Sequence, residues 1–188
     1  MTRRRSSIPQ RRPVFVGCEG ESESGYAALL QHFLREANLY VHLIIEDLGI
    51  GAGDPLSKVA MAVRKLMQLR KSRGAPQDRF LLLDSDQTEN IRDRVAAAQN
   101  LAVKHGIKMI WQHPCFEAVL LRHLPNCASR RPPGTAEAMR ALRREWAEYT
   151  KPMTRAELLK RIRLQEVLRA AAVEPQLCAF LRCLGLVR

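Results

Sequence analysis

The chain has 188 residues with 31 Lys and Arg against 19 Asp and Glu, a formal charge of +12 and a pI near 10.2. That length suits one apolar core with a helical appendage, burying roughly 70% of the unfolded surface without staples, and five cysteines with no Cys-x-x-Cys spacing argue against a zinc site or a disulfide framework. No segment approaches the roughly 20 apolar residues of a membrane span, and the basic start Met1-Thr2-Arg3-Arg4-Arg5 meets no apolar stretch before Val14, so a cytoplasmic protein with reduced thiols and no membrane partner is expected. The basic excess points to a polyanionic partner, nucleic acid, without distinguishing DNA from RNA.

Residues 1–12 are polar and basic and carry Pro9, the composition of a mobile arm, with order expected from about Pro13. Val14 to Cys18 reads as a buried strand, and Ser22 or Ser24 can cap a helix bearing Tyr26, Leu29, Leu30, Phe33 and Leu34 at helical spacing. Val41 to Ile45 reads as a second strand. The glycine-rich loop 49–55 follows, and Pro55 suits the first turn of a helix bearing Val59, Val63 and Leu66. Phe80 to Leu83 is a third strand, a helix spans about Asn90 to Lys104, Gly106 stops it, and Ile107 to Trp111 is a fourth strand. A short helix starts at Cys115-Phe116-Glu117, and residues 129–134, with Pro132 and Pro133, look like a linker. Amphipathic helices are then expected over about 135–149, 154–172 and 175–184.

Strands alternating with helices predict an α/β fold: a roughly four-stranded, mostly parallel sheet with helices on both faces, plus a C-terminal helical extension. The division expected is a basic arm over 1–12, the α/β core over 13–128, and a basic helical extension over 129–188 packed on or beside the core.

The first strand runs into Glu19-Gly20-Glu21 and the third into Asp84-Ser85-Asp86. In open α/β sheets ligands bind just beyond the carboxyl ends of strands, so Glu19, Asp84 and Asp86 are candidates to meet there. Carboxylates so gathered repel one another unless a cation lies between them, and hard oxygen donors suit Mg²⁺ or Mn²⁺. Asp84 and Asp86 would hold the ion, with Glu19 binding a second ion or moving a proton, and all three are the candidate catalytic residues. Glu117 is a candidate further ligand, though it and Glu23 are also the acids that a helix N-terminus favours for its dipole alone. Gly20 and the loop glycines Gly51 and Gly53 are candidates to approach a substrate phosphate, although the loop lacks the Gly-Lys-Ser/Thr ending of a P-loop. Arg140, Arg143 and Arg144 are candidate substrate contacts, whereas Lys58, Lys104 and Lys108 read as surface cations.

A Glu after the first strand and an Asp-x-Asp after a later one resemble the Toprim domain of primases, topoisomerases and OLD-family nucleases. Cys18-Glu19-Gly20-Glu21-Ser22-Glu23-Ser24-Gly25-Tyr26, Gly51-Ala52-Gly53-Asp54-Pro55, Leu83-Asp84-Ser85-Asp86 and His113-Pro114-Cys115-Phe116-Glu117-Ala118-Val119-Leu120-Leu121 resemble the successive motifs of the RloB family, over about residues 13–124. Family members commonly show Ser-Asn-Pro where this chain has Gln112-His113-Pro114. The resemblance implies a Toprim-type, metal-dependent nuclease fold associated with phage defence, with a protein partner from the same defence locus. Two functions are therefore expected to compete: a metal-dependent nuclease of DNA or RNA, and a non-catalytic nucleic-acid or nucleotide-binding module that senses or positions a ligand.

Overall fold

The structure, a computed structural model, describes residues 10–49, 54–72, 74–86 and 91–188. The expected arm up to residue 9 and the candidate glycines Gly51 and Gly53 lie outside the described residues. In chain order the elements are β1 (Arg12–Cys18), α1 (Glu21–Glu36), β2 (Val41–Asp47), α2 (Pro55–Ser72), β3 (Asp78–Asp84), α3 (Arg92–Lys104) and β4 (Lys108–Gln112). They continue as α4 (Phe116–His123), α5 (Thr135–Glu145), α6 (Arg155–Leu158), α7 (Leu164–Ala171) and α8 (Pro175–Leu184). The sheet order is β2-β1-β3-β4, and every pairing is parallel.

Strand alternation decides which helix each strand residue meets. Val14, Val16, Cys18, Phe80 and Leu82 point into one core with α1, α4, α7 and α8. Phe15, Leu81 and Leu83 point into the other, against α2 and α3. The helices thus lie on both faces of the sheet, as expected, and Asp84 continues the alternation of Phe80 and Leu82 towards the α1 and α4 side.

The C-terminal helices complete that first core. Leu142, Trp146, Ile162, Val167 and Leu181 share it with the strands, and the Phe180 ring lies 4.6 Å from that of Phe80. Buried apolar surface on this scale makes the extension the cover of one sheet face. Buried His123 joins α4 to α1: Nδ1 donates to the Val119 carbonyl and Nε2 accepts from the Tyr26 hydroxyl, each at 2.9 Å. Burial pushes this imidazole down to about 4, so it is neutral.

Three local expectations need correction. β1 begins at Arg12, inside the span expected to be mobile: its N–H donates to the Tyr40 carbonyl and its guanidinium pairs with Asp78 and donates to the Cys183 carbonyl at 2.6 Å. Neither Ser22 nor Ser24 caps α1; Gly20 is the N-cap, Ser24 Oγ donates to the Gly20 carbonyl, and Ser22 Oγ accepts from the Met153 N–H. The helix expected over 154–172 is two, α6 and α7. Leu158 and Ile162 are four apart, but Val167 is five beyond Ile162, which would turn it away from the core in an unbroken helix. The break restores it to the interior, and Glu166 accepts from the Arg163 N–H to start α7.

A candidate active site at the ends of β1 and β3

Four carboxylates gather where β1 and β3 end and α1 and α4 begin. Glu19 follows β1, and its Oε2 accepts from the Asp84 N–H at 3.0 Å across the two strand ends. Asp84 closes β3, and its Oδ1 accepts at 2.8 Å from the Phe116 N–H in the first turn of α4. Glu23 and Glu117 stand in the first turns of α1 and α4, and both side chains are buried. Two helix N-termini therefore face one acidic volume, which offsets part of the repulsion.

The electrostatics of the four differ. Burial pushes Asp84 up to about 9, with the charges of Glu23, Glu19 and Glu117 adding to it. Glu23 is pushed up to about 7, again by burial first and then by Glu117 and Glu19. Burial works against ionising Glu117 too, but the hydrogen bond and charge of Lys151 overcome it and hold this carboxyl below the usual range. Lys151 Nζ and the Tyr149 hydroxyl, the latter at 3.0 Å, both donate to Glu117 Oε1. Glu117 Oε2 is buried without a partner. A buried carboxylate oxygen left with nothing to accept is costly, and a cation would relieve it.

Lys151 reaches this cluster from the segment between α5 and α6, and the chain there is docked closely on α1. Gly25 makes the approach feasible: a Cβ at that position would lie 2.0 Å from the Met153 carbonyl oxygen. The ammonium of Lys151 is thus a built-in counter-charge for the acidic cluster. Buried Lys58 was expected at the surface; instead its Nζ donates to the carbonyls of Gly49 and, at 3.4 Å, Glu19. It fastens the turn after β1 to the end of β2.

Of the sequence candidates, Glu19, Asp84 and Glu117 come together, and Gly20 sits beside them as the N-cap of α1, where a Cβ would lie 3.3 Å from Glu23 Oε2. Asp86 does not join them. β3 ends at Asp84, the Ser85 N–H is held by the carbonyls of Gln112 and Pro114, and the exposed Asp86 accepts from the Thr135 hydroxyl at 2.9 Å in an adjacent cleft. Among the described residues, no three His, Cys, Asp or Glu side chains are arranged as a ready metal cage. Arg140, Arg143 and Arg144 are exposed on α5, and Arg140 pairs with Glu137 one turn back. Glu23 reads from sequence as a helix-start acid, and nothing in the sequence singles out Lys151. Their membership depends on the docking of the 146–154 segment, for which Gly25 on the helix face was the available signal.

No helix among the described residues is long and apolar enough to cross a membrane. No curated protein and no solved structure matches the chain significantly. A family model, RloB-like protein, matches residues 14–176, which takes in both strand-end acidic motifs, α4 and most of the C-terminal helices. Most of the chain lies within that match, and the protein belongs to the RloB-like family.

Proposed function

We propose that this protein is a divalent-metal-dependent nuclease, hydrolysing phosphodiesters of DNA or RNA. The observation that supports it is the gathering of Glu19, Glu23, Asp84 and Glu117 at the carboxyl edge of a parallel sheet, two of them held far above the usual carboxylate range. Acids in a cleft whose titration is shifted by burial and by one another are characteristic of functional sites. The donor set is all hard oxygen, and Glu117 Oε2 is buried without a partner, so the donor chemistry suits Mg²⁺ or Mn²⁺, with side-chain rearrangement needed to bring three oxygens onto one ion. Glu19, Glu23, Asp84 and Glu117 would hold it, while Asp86 would have to leave the Thr135 hydroxyl to take part. Such an ion, when bound, neutralises phosphate charge and makes its water more acidic.

The chain's own residues contribute the rest. Glu23, pushed up to about 7 while no cation is bound, carries a proton part of the time at neutral pH and would release it as a cation binds. Lys151 offers a cation at the edge of the cluster that can turn to an anionic phosphate once Glu117 is otherwise satisfied. The charge of +12 draws the substrate in over several ångströms. Free cysteines throughout suit a cytoplasmic setting, and a place in phage defence, with a partner from the same locus, rests on the motifs shared with the RloB family.

The competing reading, a nucleic-acid or nucleotide-binding module without chemistry, draws on the internal engagement of these acids: the Asp84 N–H, the Phe116 N–H, Tyr149 and Lys151 already occupy them. Single-turnover incubation of labelled DNA and RNA with Mg²⁺, Mn²⁺ or EDTA separates the two. Metal-dependent cleavage that Asp84→Asn removes supports the nuclease. Binding without cleavage under every metal condition supports the module.

A further inference from the structure

A second polar site adjoins the carboxylates. A cleft of about 750 Å³ opens between the end of β3, α4 and the start of α5, lined among others by Ser85, Asp86, His113, Arg122, Arg131 and Thr135. Its wall contains one of the most buried charges in the molecule. The Arg122 side chain is only 2% exposed, with Nε against Glu174 at 3.0 Å and Nη2 donating to the His113 carbonyl at 2.9 Å. Nη1 is buried and has no partner. Fully buried guanidinium groups normally satisfy all their donors, so Nη1 is an unmet donor within the wall of the cleft.

Arg131 stands beside it. Its guanidinium is held by the carbonyls of Ala128, Arg130 and Val173, and it shares Glu174 with Arg122 at 3.8 Å. Two arginines thus divide one carboxylate, leaving positive charge over. The other carboxylate of the cleft, Asp86, is drawn onto the Thr135 hydroxyl. Ser85 Oγ and His113 Nδ1, 2.7 Å apart, complete a wall of hydrogen-bonding groups. These carbonyls and Glu174 occupy both Nη groups of Arg131, so what it presents to an anion is a fixed positive charge and its Nε–H.

We propose that this cleft is a phosphate-binding site, with Arg122 and Arg131 as its positive wall and the Arg131 Nε–H as a direct donor, and that it seats a backbone phosphate of a nucleic-acid strand next to the carboxylate cluster. The Asp84-Ser85-Asp86 turn joins the two places: Asp84 faces the acids and Asp86 the cleft. A strand crossing that turn would have phosphate at both places. This rests on the nuclease reading only for the fate of the second phosphate; the cleft's affinity stands without it.

The test is binding by the full chain, in EDTA, of short single-stranded DNA and RNA oligonucleotides labelled at the 3′ end and lacking a terminal phosphate, followed by fluorescence anisotropy. Arg131→Gln weakens binding about tenfold, the lower end for losing one hydrogen bond to a charged group, while Arg64→Gln, an equal charge loss on exposed α2, leaves it near wild type. Inorganic phosphate competes with the oligonucleotide on wild type and loses that effect in Arg131→Gln. Should Arg131→Gln melt too low to use, Arg131→Lys keeps the charge but loses the guanidinium that the carbonyls hold in place and its Nε–H, and affinity still falls several-fold. A 5′-mononucleotide that competes far better than inorganic phosphate and as well as the oligonucleotide would overturn the strand assignment in favour of a terminal phosphate. Arg131→Gln or Arg131→Lys binding with wild-type affinity, with phosphate no competitor, overturns the site. Because metal is chelated throughout, a protein that fails to cleave can still pass this test, and one that cleaves can fail it.

Discussion

Replacing Asp84 with Asn should stabilise the protein in EDTA, and by an amount that grows with pH. Asn keeps the size of the side chain and an oxygen for the Phe116 N–H, so the packing at the end of β3 is retained. What changes is charge. The Asp84 carboxyl is held up at about 9 by burial and by Glu23, Glu19 and Glu117, so the folded chain keeps a proton that the unfolded chain releases near its ordinary value. With a raised folded value, this group's contribution to stability is complete below the unfolded carboxylate range and is lost as pH rises through about 9. At pH 7 the full shift would cost about 4 kcal/mol; partial exposure of Asp84 and relaxation of three coupled neighbours reduce the expected gain to about 1–2 kcal/mol. For a chain of this size that is about 2–8 °C in melting temperature. Melting followed by circular dichroism at pH 5 and pH 8 should show the variant close to wild type at the lower pH and clearly above it at the higher. A variant no more stable than wild type at pH 8, or offset equally at both, would refute the crowded-carboxylate account.

Gly25→Ala puts a Cβ 2.0 Å from the Met153 carbonyl oxygen, so backbone must move by about 1 Å; melting should drop by several degrees, since overpacking costs about 1–3 kcal/mol, and any metal-dependent activity should fall with it. Lys151→Met leaves Glu117 buried without its cation and should lower the melting temperature in EDTA, with Mn²⁺ narrowing the gap, as differential scanning fluorimetry would detect. Neutralising Arg140, Arg143 and Arg144 together should weaken oligonucleotide binding regardless of sequence and flatten its dependence on log salt by roughly 0.7 for each phosphate of a single strand that the variant no longer neutralises; an unchanged slope in a salt titration moves the binding surface off α5.

The parallel sheet with helices on both faces was legible because uninterrupted apolar runs such as Val14 to Cys18 and Phe80 to Leu83, alternating with helical patterns, are local properties of the sequence. So was the meeting of Glu19 with Asp84, since strand ends in such sheets share an edge. Asp86 was not: one position of spacing predicts a shared side only while the strand continues, and the Ser85 N–H is captured by Gln112 and Pro114 at the turn. The break between α6 and α7 was present as the five-residue step from Ile162 to Val167, which overall amphipathicity conceals. Lys151 and Tyr149 lay beyond sequence reasoning because their approach to Glu117 spans more than thirty positions and depends on how closely a loop docks on α1.

Glu19, Glu23, Asp84 and Glu117 are proposed to form a divalent-cation centre. The most direct measurement is the melting temperature of wild type and Asp84→Asn across a Mn²⁺ titration at pH 8, because a ligand that binds only the folded state raises stability by mass action. Wild type should show a saturable rise that is abolished or shifted to far higher Mn²⁺ in the variant. A wild type indifferent to Mn²⁺, or a variant that responds at the same concentration, would contradict it.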